Sequence, residues 1–144
     1  MDEKGCELCA TPGGVLLWES ATCRVVRVPD AHYPGFCRVI WNAHVREMSD
    51  LAPAARLDLM RVVFAVERVV RDLCAPDKIN LASFGNMTPH LHWHVIPRWR
   101  DDRHFPEPVW GSVQRESRPA RANVSDDTLR AALLRQLQLD TEQG

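Results

Sequence analysis

His90, His92 and His94 alternate with large apolar residues in the segment His-Leu-His-Trp-His-Val-Ile-Pro. In an extended strand every second side chain lies on the same face, so the three imidazoles are predicted to line one side, about 6.6 Å apart. The ordinary pKa of imidazole lies close to neutral pH, so such a row can hold a neutral nucleophile beside protonated ligands of a phosphate group. The pattern predicts a site directed at phosphate.

A catalytic metal site is the main alternative, because two histidines separated by one residue on a strand are also typical zinc ligands. The neighbouring sequence offers no acidic residue suited to be a further ligand or a base, since Asp101 and Asp102 follow Pro97 in a predicted loop. A purely structural role for the histidines is a third interpretation.

Cys6 and Cys9 form a second candidate pair, separated by two residues near the start of the sequence. The five cysteines are an odd number, and the first residues are acidic without an apolar core. This combination favours reduced thiols or a metal site over a disulfide framework, and it predicts a cytoplasmic protein. The other three cysteines, Cys23, Cys37 and Cys74, lie in apolar runs and are predicted to be inert core residues.

Five short apolar or alternating segments are predicted to be strands: 15–19, 23–28, 37–41, 78–83 and 90–97. Glycine and proline pairs between the first three segments are typical of turns, so these segments are predicted to form an antiparallel meander. Strands precede and follow one long predicted helix. This order predicts an α+β domain with an antiparallel sheet.

The long helix is predicted from about 50 to 73, with Pro53 tolerated in its first turn. An apolar stripe with spacings of three and four is predicted to pack on the sheet: Leu59, Val63, Val66, Val70 and Leu73. A shorter helix is predicted from about 125 to 139, with Ser125 as its N-cap. The segment 98–123 between them, rich in proline and arginine, is predicted to be mostly loop.

The composition is typical of one globular domain, with 144 residues of which 45% are hydrophobic and 26% charged. A formal net charge of -1 predicts no general attraction for nucleic acid or for an anionic membrane surface. The longest apolar run, 62–66, is far shorter than the roughly 20 residues that span a bilayer. Neither nucleic acid nor a membrane is therefore an expected partner.

The three alternating histidines, followed by two apolar residues, resemble the signature of the histidine triad (HIT) family. The segment 33–36, the apolar strand after it and His44 are similar to that family's Pro-Gly-His, strand and histidine. Asn80 and the Gly85-Asn86 pair resemble the asparagine and the Gly-Gln that precede its triad. The resemblance spans about 6–98.

A HIT-like fold is what this resemblance implies: an antiparallel sheet with one long central helix and a short C-terminal helix. The HIT domain is expected over 1–105. The remaining segment, 106–144, is expected to be a C-terminal extension, a loop and then a short helix, within the same globule.

The resemblance also implies catalytic roles for the triad. His92 is the expected nucleophile on the α-phosphorus of a nucleotide, and His94 is the expected, positively charged donor to the phosphate oxygens. His90 is expected to orient the site or to hold a structural metal.

Substrate contacts follow from the same resemblance. Asn80 and Asn86 are the expected amide donors to phosphate or ribose, with a role in turns as the alternative. Phe36 stands where many family members carry histidine, and Met87 stands where they carry serine or threonine. Thr88 is therefore the candidate hydroxyl group near the leaving group.

A structural zinc ion is held in some family members by a cysteine pair and two histidines. The matching positions here are Cys6, Cys9, His44 and His90, which offer a chemically suitable tetrahedral donor set. The alternative is that the thiols are free and His44 packs near the long helix. The resemblance implies no cofactor for the catalytic step itself.

The expected function is a homodimeric nucleotide hydrolase or transferase that cleaves a nucleoside phosphoanhydride or phosphoramidate. Diadenosine tetraphosphate and AMP-amine conjugates are the two expected kinds of substrate, and Trp99 or Trp110 could stack on a base. Two alternatives remain open at this point. One is a nucleotide-binding sensor without catalysis, and the other is a zinc-dependent hydrolase that uses the triad as ligands.

Overall fold

A five-stranded antiparallel sheet forms the centre of the computed structural model, which describes residues 3–116 and 121–143. The strands are β1 (Val15–Glu19), β2 (Cys23–Arg27), β3 (Cys37–Trp41), β4 (Lys78–Ala82) and β5 (His92–Arg98). Their order in the sheet is β1-β2-β3-β5-β4, so β5 lies between β3 and the edge strand β4. The predicted meander of the first three strands and the α+β class are confirmed.

The turn between β2 and β3 depends on Gly35, which has a φ angle of 96°. A Cβ atom at this position would lie 2.6 Å from the Sγ atom of Cys74, at the end of the long helix. A glycine here therefore permits both the left-handed backbone and the close approach of the helix.

The described residues also form three α-helices: α1 (Glu7–Ala10), α2 (Pro53–Cys74) and α3 (Asp126–Gln143). Helix α2 begins with proline, as a first turn permits, and ends where Ala75 adopts a left-handed conformation. Its predicted apolar stripe is buried at Leu59, Val63, Val66 and Val70, while Leu73 is half-buried. None of the helices among the described residues is long and apolar enough to cross a bilayer.

Helix α3 packs against α2 and β1 and buries Leu129, Leu133 and Leu137, spaced four residues apart. The Ser125 hydroxyl group accepts a hydrogen bond from the Thr128 amide, as expected for an N-cap residue. The helix extends four residues beyond its predicted end and is not short. Residues 117–120 of the predicted loop lie outside the described part of the chain.

The two faces of the sheet have different partners. Side chains such as Val25, Val39 and Val95 pack on the side of α2. On the opposite face, Val26 and Ile40 pack with Cys6 and Leu8 from the N-terminal segment. The sequence did not predict α1, because four residues are too few to show a helical period. This second face holds the candidate site.

A buried ion pair fixes the segment that follows β5. The Arg98 Nε atom donates to Asp102 Oδ2 at 2.8 Å, and the Tyr33 hydroxyl group donates to Asp102 Oδ1 at 3.1 Å. Burial alone would raise the pKa of Asp102, but Arg98 and three backbone N–H groups outweigh burial and lower it to about 2. The pair anchors the loop that brings Trp110 to the candidate site.

Candidate active site and candidate metal centre

The register of β3 and β5 places His92 opposite Ile40 and His94 opposite Arg38. Directly paired residues in neighbouring strands project to the same face, so both imidazoles and the guanidinium group lie on the side away from α2. The predicted alternation is also seen on the other side, where Leu91 and Val95 are buried.

His90 lies just before the strand, next to Cys6 of the N-terminal segment that packs on the same face of the sheet as His92 and His94. Strand β5 begins at His92, because Leu91 exchanges backbone hydrogen bonds with Val45 and Trp41 before the ladder starts. The His90 ring is fully buried and lies in a separate cluster with Cys6, Cys9 and His44.

His92 is held in one tautomer by the backbone. Its Nδ1 atom lies 2.6 Å from the carbonyl oxygen of His90, and a carbonyl can only accept, so Nδ1 carries the hydrogen. The Nε2 atom of the neutral ring therefore bears the free lone pair. Burial lowers the pKa of His92, the hydrogen bond to His90 opposes this, and the charge of Arg38 lowers it further. The arrangement suits a neutral nucleophile.

His94 contacts His92 edge to face, with ring centroids 4.9 Å apart. Its Nδ1 atom is buried and has no hydrogen-bond partner among the described residues. Burial, then His92 and Arg38, lower the pKa of His94 to about 3, so the free protein holds a neutral ring here. In the free protein the cation at this position is therefore Arg38, which is paired with His94 across the two strands, and the positive charge expected on His94 stays a prediction.

An open cleft of about 420 Å³ lies against these side chains. It is lined by Arg38, Phe84, Asn86, Met87, Thr88, His92, His94 and Trp110. The lining contains no carboxylate, and its charged member is a guanidinium group. The cleft therefore combines an apolar surface with donors suited to an anion.

The two asparagines that were predicted to contact substrate lie in different parts of the structure. Asn86 is exposed and lines the cleft, together with the half-buried Thr88. Asn80 does not line it, and its amide oxygen instead accepts a hydrogen bond of 2.7 Å from Arg98 Nη1. This bond uses the amide oxygen of Asn80 and not its NH2 group, so the expected donation from Asn80 to substrate stays a prediction.

Aromatic rings surround His94. Trp110 lies edge to face on it at 4.8 Å between centroids and contacts Phe84 at 5.0 Å. Phe36, at the position where relatives carry histidine, contacts the ring of His94 at 5.8 Å. Trp99 is buried away from this cleft, with the Arg121 guanidinium group 4.2 Å from its ring centroid. Of the two tryptophans considered, only Trp110 is placed to meet a base in the cleft.

A second cluster brings together the four side chains selected as metal ligands. One ligand atom from each of Cys6, Cys9, His44 and His90 lies within 4.8 Å of the others. The His90 Nδ1 atom is 3.3 Å from Cys6 Sγ and 3.3 Å from His44 Nδ1. The other ring nitrogen of His90 donates to the Trp41 carbonyl oxygen at 2.6 Å, which leaves the Nδ1 lone pair free.

Arg38 is the site residue that the sequence analysis missed. A single arginine within a short apolar strand is usually a solvated side chain, and only the pairing of β3 with β5 places it beside the histidines. No motif in the linear sequence would have selected it from the other arginines.

Comparison with known proteins identifies the family and the fold. The family model described as the HIT domain matches residues 13–101. A histidine triad protein from Bradyrhizobium japonicum is 27% identical, with 88% of this chain and 92% of that chain covered and a TM-score of 0.70. A second, from Marinobacter aquaeolei VT8, is 28% identical, with 92% and 94% covered and a TM-score of 0.69.

Two further similarities name an activity and a metal. An AP-4-A phosphorylase of Mycobacterium tuberculosis is 31% identical over 85 residues, which are 55% of this chain and 44% of that protein. The chain thus spans less than half the length of this relative. A Zn-bound histidine triad family protein from Mycobacterium smegmatis is 22% identical, with 98% and 99% covered and a TM-score of 0.64, a likeness of fold alone.

Proposed function

Since the chain belongs to the HIT domain family, we propose that it cleaves a nucleoside phosphoanhydride or phosphoramidate through a covalent nucleotidyl-histidine. Dinucleoside polyphosphates such as diadenosine tetraphosphate and AMP-amine conjugates are the proposed substrates. The AP-4-A phosphorylase relative supports a nucleotide-processing enzyme in this broad sense. A nucleotide-binding protein without catalysis is the alternative that the experiment below addresses.

The observation that carries the proposal is the hydrogen bond between His92 Nδ1 and the His90 carbonyl oxygen. It holds the ring in the tautomer with a free Nε2 lone pair, in a residue that lines a cleft with the cationic Arg38. Nucleophilic catalysis by histidine requires this neutral form.

The proposed reaction has two displacements at phosphorus. His92 Nε2 attacks the α-phosphorus, a P–N bond forms, and the P–O or P–N bond to the leaving group breaks with its electron pair. A water oxygen then attacks the same phosphorus and the bond to Nε2 breaks. One proton of that water is released, the nucleoside monophosphate leaves, and the neutral His92 ring is restored.

His94, Asn86 and Thr88 are the proposed partners of the reacting phosphate. His94 lies on the same strand face as His92, and the other two line the same cleft. A neutral imidazole, an amide and a hydroxyl group can each donate to phosphate oxygens and stabilise the charge that develops there.

A structural zinc ion is proposed for the cluster of two thiols and two imidazoles. Tetrahedral zinc with Zn–S bonds of about 2.3 Å and Zn–N bonds of about 2.0 Å needs donors roughly 3.3 to 3.8 Å apart. The Cys9 Sγ atom lies 3.3 Å from His44 Nδ1 and 3.4 Å from His90 Nδ1, so these donors fit the ion. The reducing cytoplasm that the sequence predicts would keep both thiols available.

Zinc would contribute structure here rather than chemistry. The convergent donors among the described residues include His90 but neither His92 nor His94. This favours a structural ion over a zinc-dependent hydrolase that uses the triad as ligands. By fixing His90, the ion would hold the carbonyl oxygen that orients His92.

A homodimer is proposed on two exposed apolar features. Strand β4 is an edge of the sheet and carries the partly exposed Leu81. Leu57 and Phe64, two turns apart on one face of α2, are 74% and 58% exposed. An edge strand and exposed apolar side chains are each typical of surfaces that self-associate, and sedimentation of the purified chain would measure the oligomeric state.

The experiment for the proposed function compares His92→Ala with His32→Ala, a matched change at an exposed histidine. Release of AMP from diadenosine tetraphosphate and from an AMP-amine conjugate is measured for both variants and the parent. His92→Ala is expected to lose turnover while it still binds AMP, and His32→Ala is expected to keep both. Unchanged turnover in His92→Ala, or none in the parent, would contradict the proposed function.

A further inference from the structure

Arg38 is half-buried and has a different environment from the two buried arginines of the described residues, Arg27 and Arg98. Arg27 pairs with Asp126 at 2.9 Å, and Arg98 pairs with Asp102 at 2.8 Å. Within residues 3–116 and 121–143, no carboxylate forms an ion pair with Arg38. Burial lowers the pKa of Arg38, and the Glu7 carboxylate opposes this without forming an ion pair with it.

The hydrogen bonds of Arg38 are also incomplete. Its Nη1 atom donates to the Gly13 carbonyl oxygen at 3.2 Å, while its Nε atom is buried and has no partner within the described segments. By contrast Arg24, on the neighbouring strand, donates to four oxygen acceptors. Burying a cation without a partner is unfavourable, so an unsatisfied guanidinium group in a cleft is suited to an anion from outside.

The position of Arg38 relative to the two histidines indicates which anionic group of a substrate it would bind. Arg38 and His94 are directly paired across β3 and β5, while His92 is two pairs further along and therefore on the same face. A phosphorus atom in reach of His92 therefore lies in the same cleft as the guanidinium group, which places the cation on the side of a neighbouring phosphate.

We propose that Arg38 binds an anionic leaving group, so that this site favours phosphoanhydrides over phosphoramidates of amines. This inference rests on the proposed function and narrows its substrate class. When His92 attacks a phosphoanhydride, the bridging P–O bond breaks and the electron pair stays on the departing phosphate oxygen. A guanidinium group that binds this oxygen stabilises the charge as it develops.

An amine leaving group does not need a cation to stabilise it. The nitrogen takes up a proton as the P–N bond breaks, so it departs without negative charge. A fixed cation next to this position gives it no stabilisation, and it repels an amine that carries a positive charge elsewhere.

The test compares two substrates in Arg38→Gln, Arg38→Lys and a matched surface variant, Arg68→Gln on α2. For Arg38→Gln, kcat/KM for diadenosine tetraphosphate is expected to fall by about 10² to 10³. The loss for an AMP-amine conjugate is expected to be at least about tenfold smaller. Arg68→Gln is expected to leave both values unchanged, because Arg68 lies on the exposed face of α2 and pairs there with Asp72.

Equal losses for the two substrates, or no loss for either, would overturn this inference while leaving the proposed function intact. If the parent protein cleaves neither substrate, the proposed function itself is contradicted. If Arg38→Gln does not fold, Arg38→Lys decides the question. It keeps the charge without the planar fork, and an intermediate loss confined to the phosphoanhydride is expected.

Discussion

The His92 ring and the backbone of His90 are joined by a hydrogen bond of 2.6 Å, from Nδ1 to the carbonyl oxygen. The same His90 residue places its own ring among two thiols and a second imidazole. One residue therefore connects the candidate metal cluster to the candidate nucleophile.

Zinc removal should affect stability more than turnover. Cys9→Ser is expected to lower the free energy of unfolding by more than about 2 kcal/mol, because it removes one of four convergent ligands. A chelator should lower the melting temperature of the parent protein but not that of Cys9→Ser. Cys74→Ser, a thiol outside the cluster, should keep the chelator response of the parent. A parent protein that is indifferent to the chelator would contradict the zinc proposal.

The ion pair between Arg98 and Asp102 predicts a loss of stability in acid. The pKa of Asp102 in the folded protein, about 2, lies below its ordinary value of 3.8. A lowered pKa stabilises the fold above about pH 4, and this contribution of about 2 kcal/mol is lost as the pH falls toward 2. Denaturant unfolding of the parent protein between pH 5 and about 2 measures this loss.

Asp102→Asn tests the same pair at neutral pH. Removing one partner of a buried pair is expected to cost about 3 to 5 kcal/mol, because Arg98 is left buried without its carboxylate. Asp72→Asn breaks an exposed pair with Arg68 on α2 and should cost less than about 0.5 kcal/mol. If Asp102→Asn and Asp72→Asn lower the free energy of unfolding by similar amounts, the prediction that the buried pair contributes more to stability than the exposed pair is wrong.

Trp110 should contribute to nucleotide binding. Its ring lines the cleft and is 53% exposed, so it offers a surface on which a base can stack. Trp110→Ala is expected to raise KM for diadenosine tetraphosphate by about 5- to 100-fold, with a smaller change in kcat. Trp110→Phe should retain most of the affinity. A KM that does not respond to either change would exclude stacking at this position.

Asn86 is expected to contribute to substrate binding, and Asn80 is expected to contribute to stability. Asn86→Ala is expected to weaken substrate binding by about 0.5 to 1.5 kcal/mol without lowering stability, because its amide lines the cleft. Asn80→Ala should instead lower stability, since it removes an acceptor of Arg98. Kinetics and denaturant unfolding of both variants measure this split. The reverse pattern would mean that Asn80 is the substrate contact.

Most of the fold could be predicted from local patterns. The bounds of β1 and β3 agree with the predicted segments 15–19 and 37–41, because glycine and proline pairs end these apolar runs clearly. The apolar stripe of α2 was visible for the same reason. Helix α1 was not, since its four residues contain no period, and α3 is longer than its apolar pattern indicated.

The site was predictable only where residue type alone is informative. The metal cluster was selected by the resemblance to the HIT family, and the four side chains do lie together. Arg38 could not be selected, because its role depends on the strand that pairs with it. Asn80 and Asn86 have the same chemistry in the sequence, and only the fold distinguishes them, since Asn86 lines the cleft while Asn80 accepts a hydrogen bond from Arg98.

The covalent bond to His92 is the central claim, and trapping tests it most directly. The protein is mixed with diadenosine tetraphosphate, quenched within the first turnover at alkaline pH, and analysed by intact mass and peptide mapping. We expect the added mass of one nucleotidyl group on the peptide that contains His92, and none in His92→Asn. AMP release without any adduct in the parent, or an adduct on another residue, would contradict the account.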